Sequence, residues 1–300
     1  MTLWIPITVA AALFQTLRFM LQRQLSLGTL SATGATLARF LYSSPLVAVL
    51  ILIYMGATAQ AWPRFGVAFW GYGAMGGLAQ ILATVATVRL FQARNFAVGI
   101  TFKKTEVMQA VLVGWVLLGD VVSPMGFAAI GLGLVGVLLL SAPPDMVRWG
   151  WRDLANRSTA LGLMAGLFFA VSGVCYRGAS LSLELSDPLA RAGVTLAAVT
   201  AMQTVAMLVW LRWRDPGQVA AVWAARRIAV WVGLMSMAGS FCWFTAFTLQ
   251  NAAYVNAVGQ VELVMSALVS VLIFKEKITV REGLGMAVLL ASILLLITVI

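Results

Sequence analysis

The sequence predicts an all-α membrane protein, with ten transmembrane helices arranged as two inverted five-helix repeats around a central cavity. Composition is the first reason. Of the 300 residues, 62% are hydrophobic and only 10% are charged, and the mean hydropathy of +0.97 lies outside the range of soluble domains. The second reason is run length, since the apolar runs last about 20 residues, enough for a helix to cross the hydrocarbon. The third is that a motif of the first half recurs in the second.

Ten apolar runs with short polar breaks between them predict the spanning helices. The runs cover residues 3–24, 32–55, 66–89, 95–118, 123–141, 159–181, 187–211, 227–248, 252–274 and 279–300. The longest polar break combines prolines, tryptophans and arginines, which is typical of an interfacial linker. We therefore predict a first repeat at 1–141, a linker at 142–158 and a second repeat at 159–300.

The repeat is clearest around two acidic residues. The stretch from Asn95 to Asp120 recurs in the frame from Asn251 to Glu276, and Glu106 and Glu262 occupy equivalent positions within it. Each half holds five helices, an odd number, so the second half must enter the membrane from the opposite face. Inverted repeats are a recurrent plan of secondary transporters, whose substrate site lies near the bilayer midplane.

The distribution of basic residues predicts the orientation. The odd-numbered breaks carry Arg23, Arg89, Arg94, Arg148, Arg152, Arg157, Arg212, Arg214, Arg226, Arg227, Lys275, Lys277 and Arg281, against Arg64, Arg177 and Arg191 in the even-numbered ones. By the positive-inside rule the odd breaks are cytoplasmic, and both termini face the periplasm of a bacterial inner membrane.

Several classes of function are excluded by composition. The net charge of +10 arises from single Lys and Arg residues in the breaks, as topology signals require, so nucleic acid is not an expected partner. The chain has no histidine, and Cys175 and Cys242 lie singly in apolar runs, so neither a metal site nor a cofactor is expected. No catalytic constellation is visible, and an enzyme is therefore not predicted.

Glu106 and Glu262 are the main candidate functional residues. Both lie near the centre of their predicted helices, where an ionised carboxylate is unfavourable unless it is paired, protonated or hydrated by a cavity. They are candidates for a proton or cation site, or for a contact with an amino group of the substrate. The alternative for Glu106 is a structural ion pair with Lys103, three residues earlier on the same helix face.

Basic residues inside the predicted helices are candidates for an anion contact. Lys103 and Lys104 project about 100° apart, so one can pair with Glu106 while the other engages a substrate carboxylate or phosphate. Arg18 and Arg39 are further candidate pocket residues. All four lie within about two turns of a helix end, so snorkelling to the interface is the alternative interpretation.

Amides and an aromatic side chain complete the candidate binding set. Asn256 and Gln260 are four apart and share a helix face, and Gln15 lies in the first helix. Such amides either line a cavity or tie helices together. Trp243 could stack on a flat substrate, or it could face lipid.

Gly99 and Gly259 are candidate hinges, because they occupy nearly equivalent places in the fourth and ninth predicted helices. Local unwinding at glycine would expose carbonyl groups near the midplane. Close helix packing is the alternative explanation for both.

The repeated acidic pattern resembles that of the EamA-type drug/metabolite transporter superfamily. An acidic residue follows each membrane glutamate by fourteen positions, namely Asp120 and Glu276. The sequence departs from the family at Val107 and Leu263, which replace a common proline, and at the ending Phe274-Lys275-Glu276. The resemblance also implies cytoplasmic termini, against the charge distribution.

The resemblance implies a secondary transporter that exports a small metabolite, amino-acid-like, amphiphilic or drug-like, by proton-coupled alternating access. Uptake of a vitamin-like or nucleotide-like solute is the alternative, and a membrane-embedded enzyme or a channel is less favoured. The expected partners are the lipid bilayer, a small-molecule substrate and protons. Ten helices can enclose a cavity within one chain, so a monomer is expected.

Overall fold

The computed structural model describes residues 3–28, 30–92, 96–141, 157–265 and 279–299, and these contain helices and no strand. The twelve helices with assigned bounds are α1 (Trp4–Leu27), α2 (Ala32–Ala57), α3 (Val67–Phe91), α4 (Phe96–Lys103), α5 (Glu106–Leu118), α6 (Pro124–Ser141), α7 (Arg157–Leu181), α8 (Pro188–Arg214), α9 (Pro216–Ala224), α10 (Arg226–Leu249), α11 (Ala252–Gly259) and α12 (Val280–Val299).

Eight of these helices are long and apolar enough to cross a membrane, and each corresponds to one predicted span. They are α1, α2, α3, α6, α7, α8, α10 and α12. A multi-pass, all-helical membrane protein is thereby confirmed. The count of ten spans and their inverted arrangement stay predictions.

The other two predicted spans, 95–118 and 252–274, are not continuous helices over their described parts. The first is divided into α4 and α5. The second consists of α11, a turn at Gln260 and further helix over residues 261–265. Each of these two predicted spans is therefore interrupted, and the second interruption directly follows Gly259, one of the two glycines at which local unwinding was considered.

Two smaller differences concern the polar breaks. The break after the seventh predicted span contains the short helix α9, whose first residue is Pro216, and proline is favoured at that position because its φ is already helical. The predicted linker at 142–158 lies outside the described residues except for its last two, which open α7. Asn95 and Glu276, the ends of the repeated frame, also lie outside them.

Helices of the first half pack against helices of the second, so that packing partners are exchanged between the halves. Helix α3 of the first half packs against α7 of the second, and α10 of the second packs against α1 of the first. Helix α6 packs against α12, and α5 packs against α11. This exchange is what a two-fold relation between the halves would produce.

Glycines allow the closest of these contacts, because small residues let helix backbones approach within the membrane. A Cβ added to Gly162 of α7 would lie 2.1 Å from the carbonyl oxygen of Gly99 in α4. A Cβ added to Gly136 of α6 would lie 2.7 Å from the backbone nitrogen of Leu289 in α12. The close contact between α7 and α4 therefore depends on the absence of a side chain at Gly162.

Asp187 fixes the start of α8 outside the spanning segments. Its carboxylate accepts hydrogen bonds from the backbone N–H of Leu189 at 2.9 Å, Tyr54 Oη at 2.6 Å and Gln60 Nε2 at 3.0 Å. Partial burial raises the pKa of Asp187, but the hydrogen bonds outweigh it, and the net pKa is lowered. The carboxylate thus links the ends of α2 and α8.

Candidate functional site

The first helix break lies between Lys103, the last residue of α4, and Glu106, the first of α5. Across it, the backbone N–H groups of Lys104 and Thr105 each donate to the carbonyl three residues earlier, at 3.2 Å. This is the pattern of a tight 3₁₀ turn, which often marks a functional position within a longer helix. Both lysines are buried, with 3% and 2% of their surface exposed. The charged groups are therefore in the interior, and snorkelling does not describe them.

The second break lies at Gln260, directly after Gly259 ends α11. The backbone N–H of Gln260 donates to Ala257 at 3.2 Å, and that of Leu263 donates to Gln260 at 3.0 Å. The same i→i+3 pattern thus recurs at this break. The side chain of Gln260 is buried and points to the first break, since Gln260 Nε2 lies 3.5 Å from Glu106 Oε1.

Two lysine–glutamate pairs form where the breaks meet. Lys103 Nζ lies 3.5 Å from Glu106 Oε2, a pair within one chain segment. Lys104 Nζ donates to Glu262 Oε1, a pair that joins the two halves. The other oxygen of Glu262 accepts a hydrogen bond from Gln15 Nε2 of α1 at 3.1 Å. We call these two pairs, with Gln15 and Gln260, the charged layer.

The charged layer borders two cavities. The larger, of about 220 Å³, lies between α1, α3 and α4 and is lined by Lys103, Lys104 and Glu262 among others. The smaller, of about 40 Å³, is lined by Gln15, Arg39, Gln80, Lys103, Glu106, Phe169, Ser172, Tyr176, Ser240, Trp243, Phe244, Phe247 and Asn256. Lys103 borders both cavities. The smaller one has room for only a few water molecules.

The remaining sequence candidates have different surroundings. Trp243 stacks on Phe247 with ring centroids 5.5 Å apart, and its Nε1 has no hydrogen-bond partner in the described part of the chain. Arg18 is buried and donates to Gln22 Oε1 at 3.0 Å, but it lines neither cavity. The roles proposed for all these residues in substrate or proton binding stay predictions.

The two candidate hinge glycines are both tightly packed. A Cβ added to Gly99 would lie 2.2 Å from Leu90 Cδ2, and one added to Gly259 would lie 2.4 Å from Trp243 Cη2. Gly259 adjoins the second break, whereas Gly99 precedes the first break by one helical turn. Their hinge roles stay predictions, and the observed contacts are those of close packing.

A polar network that the sequence did not indicate lies beside the smaller cavity. Tyr176 Oη of α7 donates to Gln80 Oε1 of α3 at 2.8 Å, and Gln203 Nε2 of α8 donates to the same oxygen at 3.1 Å. The only signal in the sequence was that Gln80 and Gln203 are amides within apolar runs. The network ties three helices together at the wall of the cavity.

A third ion pair lies away from the charged layer. Arg177 Nε is 3.2 Å from Asp120 Oδ2, and Arg177 Nη1 donates to the carbonyl of Phe247 at 2.9 Å. Asp120, one of the acidic residues of the repeated pattern, therefore has a structural partner. In the described ranges no three His, Cys, Asp or Glu side chains are grouped as a metal site would need.

An all-helical membrane protein with a charged layer that borders two cavities has the features of a solute transporter. The model of the EamA-like transporter family matches residues 157–298. The match supports membership of the chain in the EamA/drug-metabolite transporter superfamily and confirms the family predicted from the repeated acidic motif. Similarity to this family, over the second half of the chain, suggests a membrane transporter of small solutes.

Other comparisons bear on the fold alone. A crystal structure described only as that of a protein superposes with a TM-score of 0.69, over 98% of this chain and 96% of that chain. The two sequences are 14% identical, so the likeness shows a shared fold. No curated protein sequence matches this chain.

Proposed function

We propose that the protein is a secondary active transporter that exports a small metabolite across a bacterial inner membrane in exchange for protons. In this proposal ten spans form two inverted five-helix halves, which rock about the charged layer and expose it alternately to each face. The cargo is amino-acid-like, amphiphilic or drug-like. The odd-numbered breaks, rich in Arg and Lys, are cytoplasmic in the proposal.

The observation that carries the proposal is the pair between Lys104, which is buried, and Glu262, whose side chain is 13% exposed, at the point where two helix breaks meet. A buried ion pair stays favourable only while both partners are charged, and removal of one charge leaves the other unpaired in the interior. Protonation of Glu262 would therefore weaken the link between the halves. Protonation of the charged layer would therefore change the relative stability of the two arrangements of the halves.

Glu106 and Lys103 form the second part of the proposed mechanism. Lys103 borders both cavities, so it can follow a substrate through the layer. For exchange, the layer binds the cargo while Glu106 is ionised and is protonated only after the cargo has left, so that cargo and proton occupy the layer in turn. The carboxylates carry the protons, and the lysines respond to their charge.

Proteoliposomes loaded with a bacterial metabolite extract test this function even though the cargo is not identified beforehand. An acidic exterior should accelerate the release of one or a few solutes, identified by mass spectrometry, and the Glu106→Gln, Glu262→Gln double variant should abolish that acceleration. Glu184→Gln, which changes an exposed carboxylate on the α7–α8 connection, is the matched control and should behave as the wild type.

Three results would count against the proposal. Release that ignores the pH gradient in the wild type would remove proton coupling. Full pH-dependent release by the double variant would remove the role of the carboxylates. Accumulation of an external solute, with no release of internal ones, would favour the alternative of uptake of a vitamin-like or nucleotide-like compound.

A further inference from the structure

Arg39 is a buried cation whose described partners are all neutral. It lies on α2 with 3% of its surface exposed. Its guanidinium donates to Ser236 Oγ at 3.0 Å, Thr84 Oγ1 at 3.0 Å and Ser240 Oγ at 3.3 Å. These hydroxyls orient the guanidinium but leave its positive charge uncompensated, and arginine does not lose its proton in proteins.

The interior around Arg39 carries an excess of positive charge. Among the described residues, four buried cations lie in this region, namely Arg18, Arg39, Lys103 and Lys104. Lys103 pairs with Glu106 and Lys104 pairs with Glu262, and these are the carboxylate partners of the four cations among the described residues. Arg18 donates to the amide oxygen of Gln22. Two guanidinium groups therefore lack a carboxylate within the described part of the chain.

Arg39 also forms part of the wall of the smaller cavity, together with aromatic rings. Phe169, Tyr176, Trp243, Phe244 and Phe247 line the same cavity. The indole Nε1 of Trp243 is a buried donor with no described partner. A ring that carries an acidic group would fit this cavity. The ring can lie against the aromatic side chains, and the acidic group can accept hydrogen bonds from Arg39 and from Trp243 Nε1.

We propose that the cargo is an organic anion with a planar ring, and that its carboxylate binds Arg39 while its ring lies against the aromatic wall. This inference rests on the proposed function, because it names the substrate class of the same cavity. It also predicts that an amino group contributes little. Both membrane carboxylates are already paired with lysines, so none is free for a substrate ammonium.

The smaller cavity must widen to admit a ring, since about 40 Å³ is too little for one. The rocking motion of the proposed transport cycle would supply that change. Export of an anion is also compatible with the proposed direction. A negative charge leaving a cell with an electrically negative interior moves down the membrane potential.

Equilibrium binding to the purified full chain in detergent micelles tests the inference without any gradient. The probes are benzoate, its neutral analogue benzamide and the cation benzylamine. Benzoate should raise the unfolding temperature in a concentration-dependent way, and the other two should not. Equal stabilisation by all three, or the largest effect from benzylamine, would overturn the inference, and this comparison needs no variant.

Variants of Arg39 locate the site. Arg39→Gln should weaken benzoate binding at least about tenfold, because a charge-assisted hydrogen bond is lost, whereas Arg39→Lys should retain part of it. Arg89→Gln removes an exposed arginine at the end of α3 and is the matched control, with unchanged binding expected. A folded Arg39→Gln variant that binds benzoate as the wild type does would overturn the assignment to this cavity.

The outcome is separable from that of the proposed function. Anion-selective binding at Arg39 without proton-driven release would support the subsite and contradict proton-coupled export. Proton-driven release without any preference for the anionic probe would leave the export proposal standing and overturn the anion subsite.

Discussion

The two helix breaks hold equivalent glutamates but differ in the charge beside them. Two residues before the glutamate stands Lys104 in the first break and Gln260 in the second. The first break thus carries more positive than negative charge, and Glu262 of the second break takes its cation from the first. The two repeats therefore have glutamates at equivalent positions, but only the first repeat has a lysine two residues before its glutamate.

This asymmetry gives the two ion pairs different structural roles. The Lys103–Glu106 pair lies within one segment, with 3.5 Å between Lys103 Nζ and Glu106 Oε2. Lys103 Nζ also contacts the rings of Phe169 and Phe19, whose centroids lie 4.8 and 5.5 Å away. The Lys104–Glu262 pair joins two segments from different halves. Loss of charge should therefore affect stability more at Glu262 than at Glu106.

The largest expected effect is that of Glu262→Gln. It leaves Lys104 buried without a carboxylate, which should lower the free energy of unfolding in detergent by about 3 kcal/mol and abolish proton-driven release. Adding Lys104→Met should restore most of the stability, because it removes the unpaired charge, but should not restore release. A single Glu262→Gln variant as stable as the wild type would contradict the bridging role of this pair.

A steric change at the first break should come next. A Cβ at Gly166 of α7 would lie 2.8 Å from the carbonyl oxygen of Lys103, a backbone atom that cannot move aside easily. Gly166→Ala should therefore lower the free energy of unfolding by about 2 kcal/mol. The matched control is Gly131→Ala on α6, where a Cβ meets open space. Equal unfolding temperatures for the two variants would show that α7 does not support the break.

Glu106→Gln should have a smaller effect than Glu262→Gln. The new amide keeps an acceptor for Gln260 Nε2, and Lys103 keeps its contacts with the aromatic rings. We expect a loss of about 1 kcal/mol in the free energy of unfolding, with weakened but measurable pH dependence of release. If Glu106→Gln were the more damaging of the two glutamate variants, the comparison between the pairs would be reversed.

The smallest effect is expected far from both breaks, at Asp187. The pKa of Asp187 is lower in the folded protein than the ordinary value of about 4. The ionised carboxylate therefore stabilises the fold fully above about pH 4, and this stabilisation is lost as the pH falls through the folded pKa. Asp187→Asn keeps a good N-cap, so the free energy of unfolding should fall by only about 0.5 kcal/mol near neutral pH. Unfolding scans of both proteins should converge as the pH falls below about 4.

The sequence predicted eight spanning helices well because each is a long apolar run with polar ends, and such runs have one favourable conformation in a membrane. It also predicted the buried position of Glu106, since no solvent is available at the centre of a span. The Lys103–Glu106 pair followed from their spacing of three residues.

The second helix break lies beside Gly259, a candidate point of local unwinding, but the first break and the crossed pair could not be predicted in the same way. Val107 and Leu263 replace the proline that would have marked a break. The partner of Lys104 lies in the other half, a contact that local spacing does not encode. Arg39 was a candidate from its position alone, but its neutral partners became visible only once α2, α3 and α10 were placed together.

The most direct test of the account is a measurement of proton movement itself, with a pH-sensitive dye enclosed in proteoliposomes that also contain the exported solute. We predict that protons enter as the solute leaves in the wild type, and that this entry is lost in the Glu106→Gln, Glu262→Gln double variant. Equal proton entry with both proteins during solute release would contradict the account.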